Sequence, residues 1–126
     1  MIQERSIVQI ADNSGAKIGR IFKILGSSKK RYARIGEVVV LSVQTAEPRK
    51  SVKKKDVLRA VVVRQKAAFR RKDGSYIRFD ENAVVILETS GKDKKEPKAG
   101  RIFGPIPREL QDLGYQTIIS RAPEVV

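Results

Sequence analysis

The chain has 126 residues, 40% of them hydrophobic, which suits one domain burying about two-thirds of its unfolded surface. Lys and Arg number 27 against 14 Asp and Glu, a net charge of +13 that exceeds the needs of solubility and points to an anionic polymer or surface. The absence of Cys and His excludes disulfides, thiolate nucleophiles, the usual transition-metal ligands and the commonest general base near neutral pH.

From the N-terminus, Glu4 and Arg5 stand where a signal peptide would carry its apolar segment. No window approaches eighteen uninterrupted apolar residues, so a soluble protein of the cytoplasm or of an organelle is expected, with no membrane partner. Short runs rich in Val and Ile then recur at hairpin intervals, the pattern of a small all-β domain. The predicted strands are Ser6 to Ala11, Ile18 to Leu25 with Arg20 in its middle, Glu37 to Ala46, Val57 to Gln65, Tyr76 to Phe79 and Ala83 to Glu88. In the third, Val39, Leu41 and Val43 share one face while Val38 and Val40 sit on the other, so its first half reads as buried on both sides. Val61 to Val63 and Val84 to Leu87 repeat that pattern, as a closed and partly covered barrel requires.

Asp12-Asn13-Ser14-Gly15 and Asp73-Gly74 supply residues that tolerate positive φ and read as tight reversals. Ser90 to Gly100 has no apolar periodicity and reads as a loop. Pro105-Ile106-Pro107 followed by RELQDLG predicts a short helix, with Pro107 in its first turn, Gly114 just past its end, and Leu110 and Leu113 docking it on the barrel. No repeat or second domain is evident, so residues 1–126 are read as one domain.

The cations are clustered: Arg49 to Lys72 holds eleven Lys or Arg against the single acid Asp56. One cluster is Arg49, Lys50, Lys53, Lys54 and Lys55. A second, Lys29, Lys30, Arg31 and Arg34, surrounds Tyr32, which could stack on an exposed base or pack its ring on the barrel rim. A third, Lys66, Arg70, Arg71 and Lys72, would be held out by the Asp73-Gly74 turn toward phosphates. Arg20, Arg64 and Arg78 join these as strand-borne candidates.

A calcium loop around Gly74 and Asp80 fails because its first and third ligand positions fall on Phe69 and Arg71. No metal site and no cofactor is expected. Ser, Thr, Lys and carboxylates remain, but no nucleophile elbow, phosphate-cradling glycine loop or carboxylate pair appears, so no enzyme is expected. Aromatic residues are only 6%, which disfavours a sequence-reading stacking platform; shape and phosphate recognition fit better. A free basic barrel binding DNA shares these features.

Several ordered segments then resemble the large-subunit ribosomal protein L-fourteen family from end to end. They are ADNSGA at Ala11 to Ala16, RYA at Arg31 to Ala33, and Ala60-Val61-Val62-Val63 followed by Asp73-Gly74, Phe79, Asn82 and Val85-Ile86. RIFGP at Arg101 to Pro105, Arg108-Glu109-Leu110 and APEV at Ala122 to Val125 complete the match.

The resemblance implies a mainly β fold, a five-stranded barrel with a projecting basic hairpin and a short C-terminal helical region. It implies binding to 23S-type large-subunit rRNA and bridges to the small-subunit rRNA. It further implies neighbours such as ribosomal proteins L-three and L-nineteen, and in some bacteria a ribosome-silencing factor. Arg101, Phe103 and Arg108 are then expected at the protein or subunit interface, in the ribosome of the cytoplasm, organelle matrix or stroma. Gly100, Gly114 and Thr117 depart from the family's usual residues on the silencing-factor surface. Lys55 stands where the family usually has Gly, and Arg121 where it usually has Leu.

Overall fold

The computed structural model describes residues 2–26, 31–50, 52–88 and 96–126. In chain order these form β1 (Ile7–Ile10), β2 (Ala16–Ile24), β3 (Val38–Ala46), β4 (Val57–Arg64), β5 (Phe69–Arg70), β6 (Tyr76–Ile77), β7 (Ala83–Ile86) and β8 (Pro105–Ile106). Two helices, α1 (Glu109–Asp112) and α2 (Gln116–Arg121), and a last strand β9 (Glu124–Val125) follow. The barrel closes in the order β1-β2-β3-β4-β7. Its ladders are antiparallel except where β1 meets β7, pairing Gln9 with Ala83 and Ile10 with Val84 in parallel.

Alternation fills the barrel: Val8 and Ile10, Ile21 and Ile24, and Val39, Leu41 and Val43 point inward with Ala60, Val62, Val84 and Ile86. Val61, Val63, Ala83 and Val85 face the other way and form a second core with Ile35, Ile102, Ile106, Leu110, Tyr115 and Ile118. β4 and β7 thus have apolar packing on both sides, which is why their sequences lack polar alternation. In β3 the inward residues are buried while Val38 and Val40 are only half-buried. The C-terminal helices cover one side of the barrel.

Two details of the C-terminus differ from the sequence expectation. α1 is a single turn, and only Leu110 of the predicted pair is buried; Leu113 is 45% exposed at the helix end, its side chain lying over Gly36. A second helix occupies Gln116–Arg121, where Thr117, Ile118 and Ile119 favour a strand by propensity. Burial of Ile118 in the second core accounts for the override; each such side chain contributes about 1.5–3 kcal/mol. The strand expected over Tyr76 to Phe79 is two residues long. Of the loop expected over Ser90 to Gly100, residues 90–95 lie outside the described residues.

Candidate nucleic-acid interface

Because successive barrel strands run antiparallel, their connections fall alternately at opposite ends. The β2–β3 connection, with Arg31, Tyr32 and Arg34, shares one end with the β4–β7 connection that carries the hairpin. The β1–β2 turn shares the other end with the β3–β4 loop, which carries Arg49, Lys50, Lys53, Lys54 and Lys55. The cation clusters of the sequence are therefore divided between the two ends. Lys29 and Lys30 lie outside the described residues.

At the first end, Arg31, Tyr32 and Arg34 are exposed while Ala33 among them and Ile35 after them are buried. The backbone is held by Ile2, which exchanges two hydrogen bonds with Ala33. It is also held by Gln65, 1% exposed, whose Oε1 accepts the Ile35 N–H at 3.1 Å and whose Nε2 donates to the Ala67 carbonyl at 2.9 Å. One buried amide therefore ties the Tyr32 loop to the root of the hairpin. Sequence reasoning missed it, although a Gln closing a doubly buried strand is itself a signal, since a buried amide needs partners.

The hairpin pairs Phe69 with Ile77 and Arg70 with Tyr76. At its tip Asp73 Oδ1 accepts the Ser75 hydroxyl at 2.6 Å and the Ser75 N–H at 2.9 Å. Gly74 adopts φ +89°, a region open to Gly without steric cost. The Ser75 hydroxyl and N–H, with Arg108 and Arg71 beyond them, hold the Asp73 carboxyl below its ordinary range. Lys66, Arg70, Lys72 and Arg78 are exposed.

Arg71 departs from the expectation that the turn holds it out. Its Nε lies 2.7 Å from Glu109 Oε1 and its Nη2 donates to the Val126 carbonyl at 2.6 Å, with the side chain 11% exposed. It fastens the hairpin to α1 and to the chain's end, because an acid on α1 stands within reach. Arg108 reaches toward Asp73 at 3.5 Å, but both side chains are more than half exposed and such pairs contribute little.

Arg64 departs in the same way. It is 6% exposed, its Nη2 is 3.3 Å from Glu81 Oε1, and its Nη1 donates to the carbonyls of Phe103 at 3.1 Å and Pro105 at 3.4 Å. A Cβ on Gly104 would fall 2.0 Å from that Nη1, so Gly104, at φ +77°, is what lets the guanidinium approach the backbone. Held on this clamp, Phe103 is 46% exposed and the Arg101 guanidinium carbon lies 5.7 Å from its ring centroid, a cation–π contact. Arg101, Phe103 and Arg108 all present themselves to the exterior.

At the second end, Val52 is buried in the barrel core and anchors the β3–β4 loop, while Arg49, Lys50 and Lys53 to Lys55 are exposed. Asp56 Oδ2 accepts the Lys53 N–H at 3.0 Å. Arg49 at φ +67° and Lys55 at φ +74° both hold the left-handed conformation, which costs about 1–2 kcal/mol per non-glycine residue. Arg20 is exposed on the barrel wall between the ends.

A family model described as ribosomal protein L14p/L23e matches residues 1–126. The chain belongs to the L14p/L23e family of ribosomal proteins. That family supplies structural constituents of the large subunit and is not an enzyme family. An L14p/L23e protein is a component of the ribosome.

Proposed function

We propose that this protein binds large-subunit rRNA through both ends of its barrel and contributes to bridges with the small-subunit rRNA. The observation that carries the reading is the division of exposed cations into two clusters, each on a loop anchored by buried residues. Arg31, Tyr32, Arg34, Lys66, Arg70, Lys72 and Arg78 serve one rRNA segment, and Arg49, Lys50 and Lys53 to Lys55 another. A rigid barrel between them fixes the distance at which two rRNA segments can approach, and the cations screen their phosphates. No bond is made or broken; the work is scaffolding. Arg101, Phe103 and Arg108 form the face offered to the small subunit and to protein neighbours such as L-three, L-nineteen and, where present, a silencing factor.

Sucrose-gradient fractionation tests this reading. A tagged copy should co-sediment with large subunits at moderate salt, and a copy with Glu at Arg70, Lys72, Lys53 and Lys54 should remain at the top of the gradient. Failure of the wild type to co-sediment would refute the proposal.

A further inference from the structure

The second core covers β7, the second half of β4 and Val38 at the start of β3, and leaves β1, β2, the rest of β3 and the start of β4 as an open outer wall. On that wall β2 is irregular: its pairing with β3 shifts between Ala16 and Gly19 and again between Ile21 and Lys23. A bulge adds a residue and re-aims side chains. Here each irregular stretch turns two neighbours outward together, Lys17 with Ile18 and Phe22 with Lys23, with Arg20 exposed between them. Adjacent exposed pairs of this kind are what strict alternation does not allow, and Phe22 is 48% exposed.

The ladders extend this row. Arg20 stands opposite Ile7 on β1 and Ser42 on β3, and Lys23 stands opposite Val40, which stands opposite Arg59 on β4. No Asp or Glu occurs in β1, β2, β3 or β4; Glu47, just past β3, shares a cleft with Lys17, while Arg20, Lys23 and Arg59 meet no acid within these ladders. Lys23 and Arg59 lie two strands, roughly 10 Å, apart, and Lys17, Arg20 and Lys23 follow one another along β2, so the four form a spaced row of exposed cations that an anionic partner would complement. An acidic protein surface would neutralise them without engaging a planar ring. A nucleotide strand does both, placing phosphates on the cations and a base on the aromatic face.

We infer that the outer wall of β1–β4 is a further RNA-binding surface, holding one unpaired nucleotide on the ring of Phe22 and its neighbouring phosphates on Lys17, Arg20, Lys23 and Arg59. The inference rests on the rRNA reading above and extends it from the barrel ends to the wall. A single ring seats a single base and does not read sequence, in keeping with the low aromatic content.

The test uses a fluorescein-labelled single-stranded RNA of about 12 nucleotides and a blunt RNA duplex of about 12 base pairs, with binding followed by anisotropy over a range of salt. Phe22→Leu keeps an apolar side chain but removes the ring. It should weaken single-strand binding about ten-fold and leave duplex binding unchanged. Replacing Lys17, Lys23 and Arg59 together by Gln should lower the single-strand salt slope by about 2. Ultraviolet cross-linking should place a nucleotide adduct on the peptide containing Phe22. The inference is overturned if Phe22→Leu binds the single strand as the wild type does, or if the wall cross-links in the assembled subunit to protein alone. Loss of wild-type binding to both RNAs would overturn the rRNA reading itself.

Discussion

The Arg64 guanidinium stands 3.3 Å from the Glu81 carboxylate while its other terminal nitrogen donates to the carbonyls of Phe103 and Pro105. One cation thus joins β4, the approach to β7 and the turn that exposes Phe103. Burial lowers the Arg64 pKa from its ordinary value and Glu81 raises it back in part; a guanidinium so placed remains charged. Arg64→Met would leave two carbonyls and a carboxylate without their donor, and should lower the unfolding free energy by about 3 kcal/mol. Glu81 is 37% exposed in its side chain, so Glu81→Gln is screened by water and should cost only about 1 kcal/mol. Urea denaturation at neutral pH distinguishes the two, and equal losses would show that the carbonyl contacts contribute nothing.

The three cations before the turn divide by partner. Arg70 and Lys72 are exposed and have no ion pair among the described residues, whereas Arg71 is held by Glu109 and Val126. Arg70→Glu with Lys72→Glu should leave the denaturation midpoint unchanged and reduce incorporation into large subunits. Arg71→Glu should instead set a carboxylate against Glu109 and lower stability by about 2–4 kcal/mol. Thermal denaturation beside gradient fractionation checks both; a stable Arg71→Glu protein would remove the latch from the account.

The barrel was legible because Val38 to Leu41, Val61 to Val63 and Val84 to Leu87 are apolar on both faces; two-sided burial holds in β4 and β7, whereas in β3 Val38 and Val40 are only half-buried. The cationic surfaces were legible as clusters. What a linear reading missed were long-range pairings. Arg64 and Arg71 look like their exposed neighbours until Glu81 and Glu109 are brought beside them, and Glu81 has no evident role until Arg64 is seen. A cation ending the run AVVV was nevertheless a local hint, since that strand is covered on both faces. α2 was hidden because Thr117, Ile118 and Ile119 carry a strand's propensity in a helix set by packing. The outward pairs on β2 depend on bulges, which alternation cannot show.

Lys55 occupies the left-handed region, φ +74°, with its N–H donating to Val43 at 2.8 Å. Glycine meets no steric cost there but gains about 0.4–1 kcal/mol of unfolded-state entropy, against about 1–2 kcal/mol of relieved strain. Lys55→Gly should therefore stabilise the protein by about 0.5–1 kcal/mol, seen as a higher urea midpoint with an unchanged slope. If Lys55 also meets a phosphate, the salt dependence of duplex RNA binding should fall by about one contact. Stability and affinity would then move in opposite directions, which fits a strained residue kept on a binding loop.

Asp12 supplies a pH signature. It is 3% exposed, and its Oδ1 accepts the Ser14 hydroxyl at 2.6 Å and the Ser14 N–H at 3.1 Å, while Oδ2 accepts the Ile86 N–H at 2.9 Å. Burial raises its pKa and these three hydrogen bonds oppose the rise without cancelling it. A folded-state pKa above the unfolded one means the folded protein takes up the proton first as pH falls. The associated stability is fully present below the unfolded pKa and is lost as pH rises through the folded pKa. Asp12→Asn removes the titration and turns an amide donor toward a backbone donor, costing about 1–3 kcal/mol at neutral pH. Other acids titrate alike in both proteins, so their difference in stability isolates Asp12. That difference should widen between neutral pH and about pH 4, measured by urea denaturation of both proteins across the range, and a difference that narrows on acidification would mean that the hydrogen bonds outweigh burial.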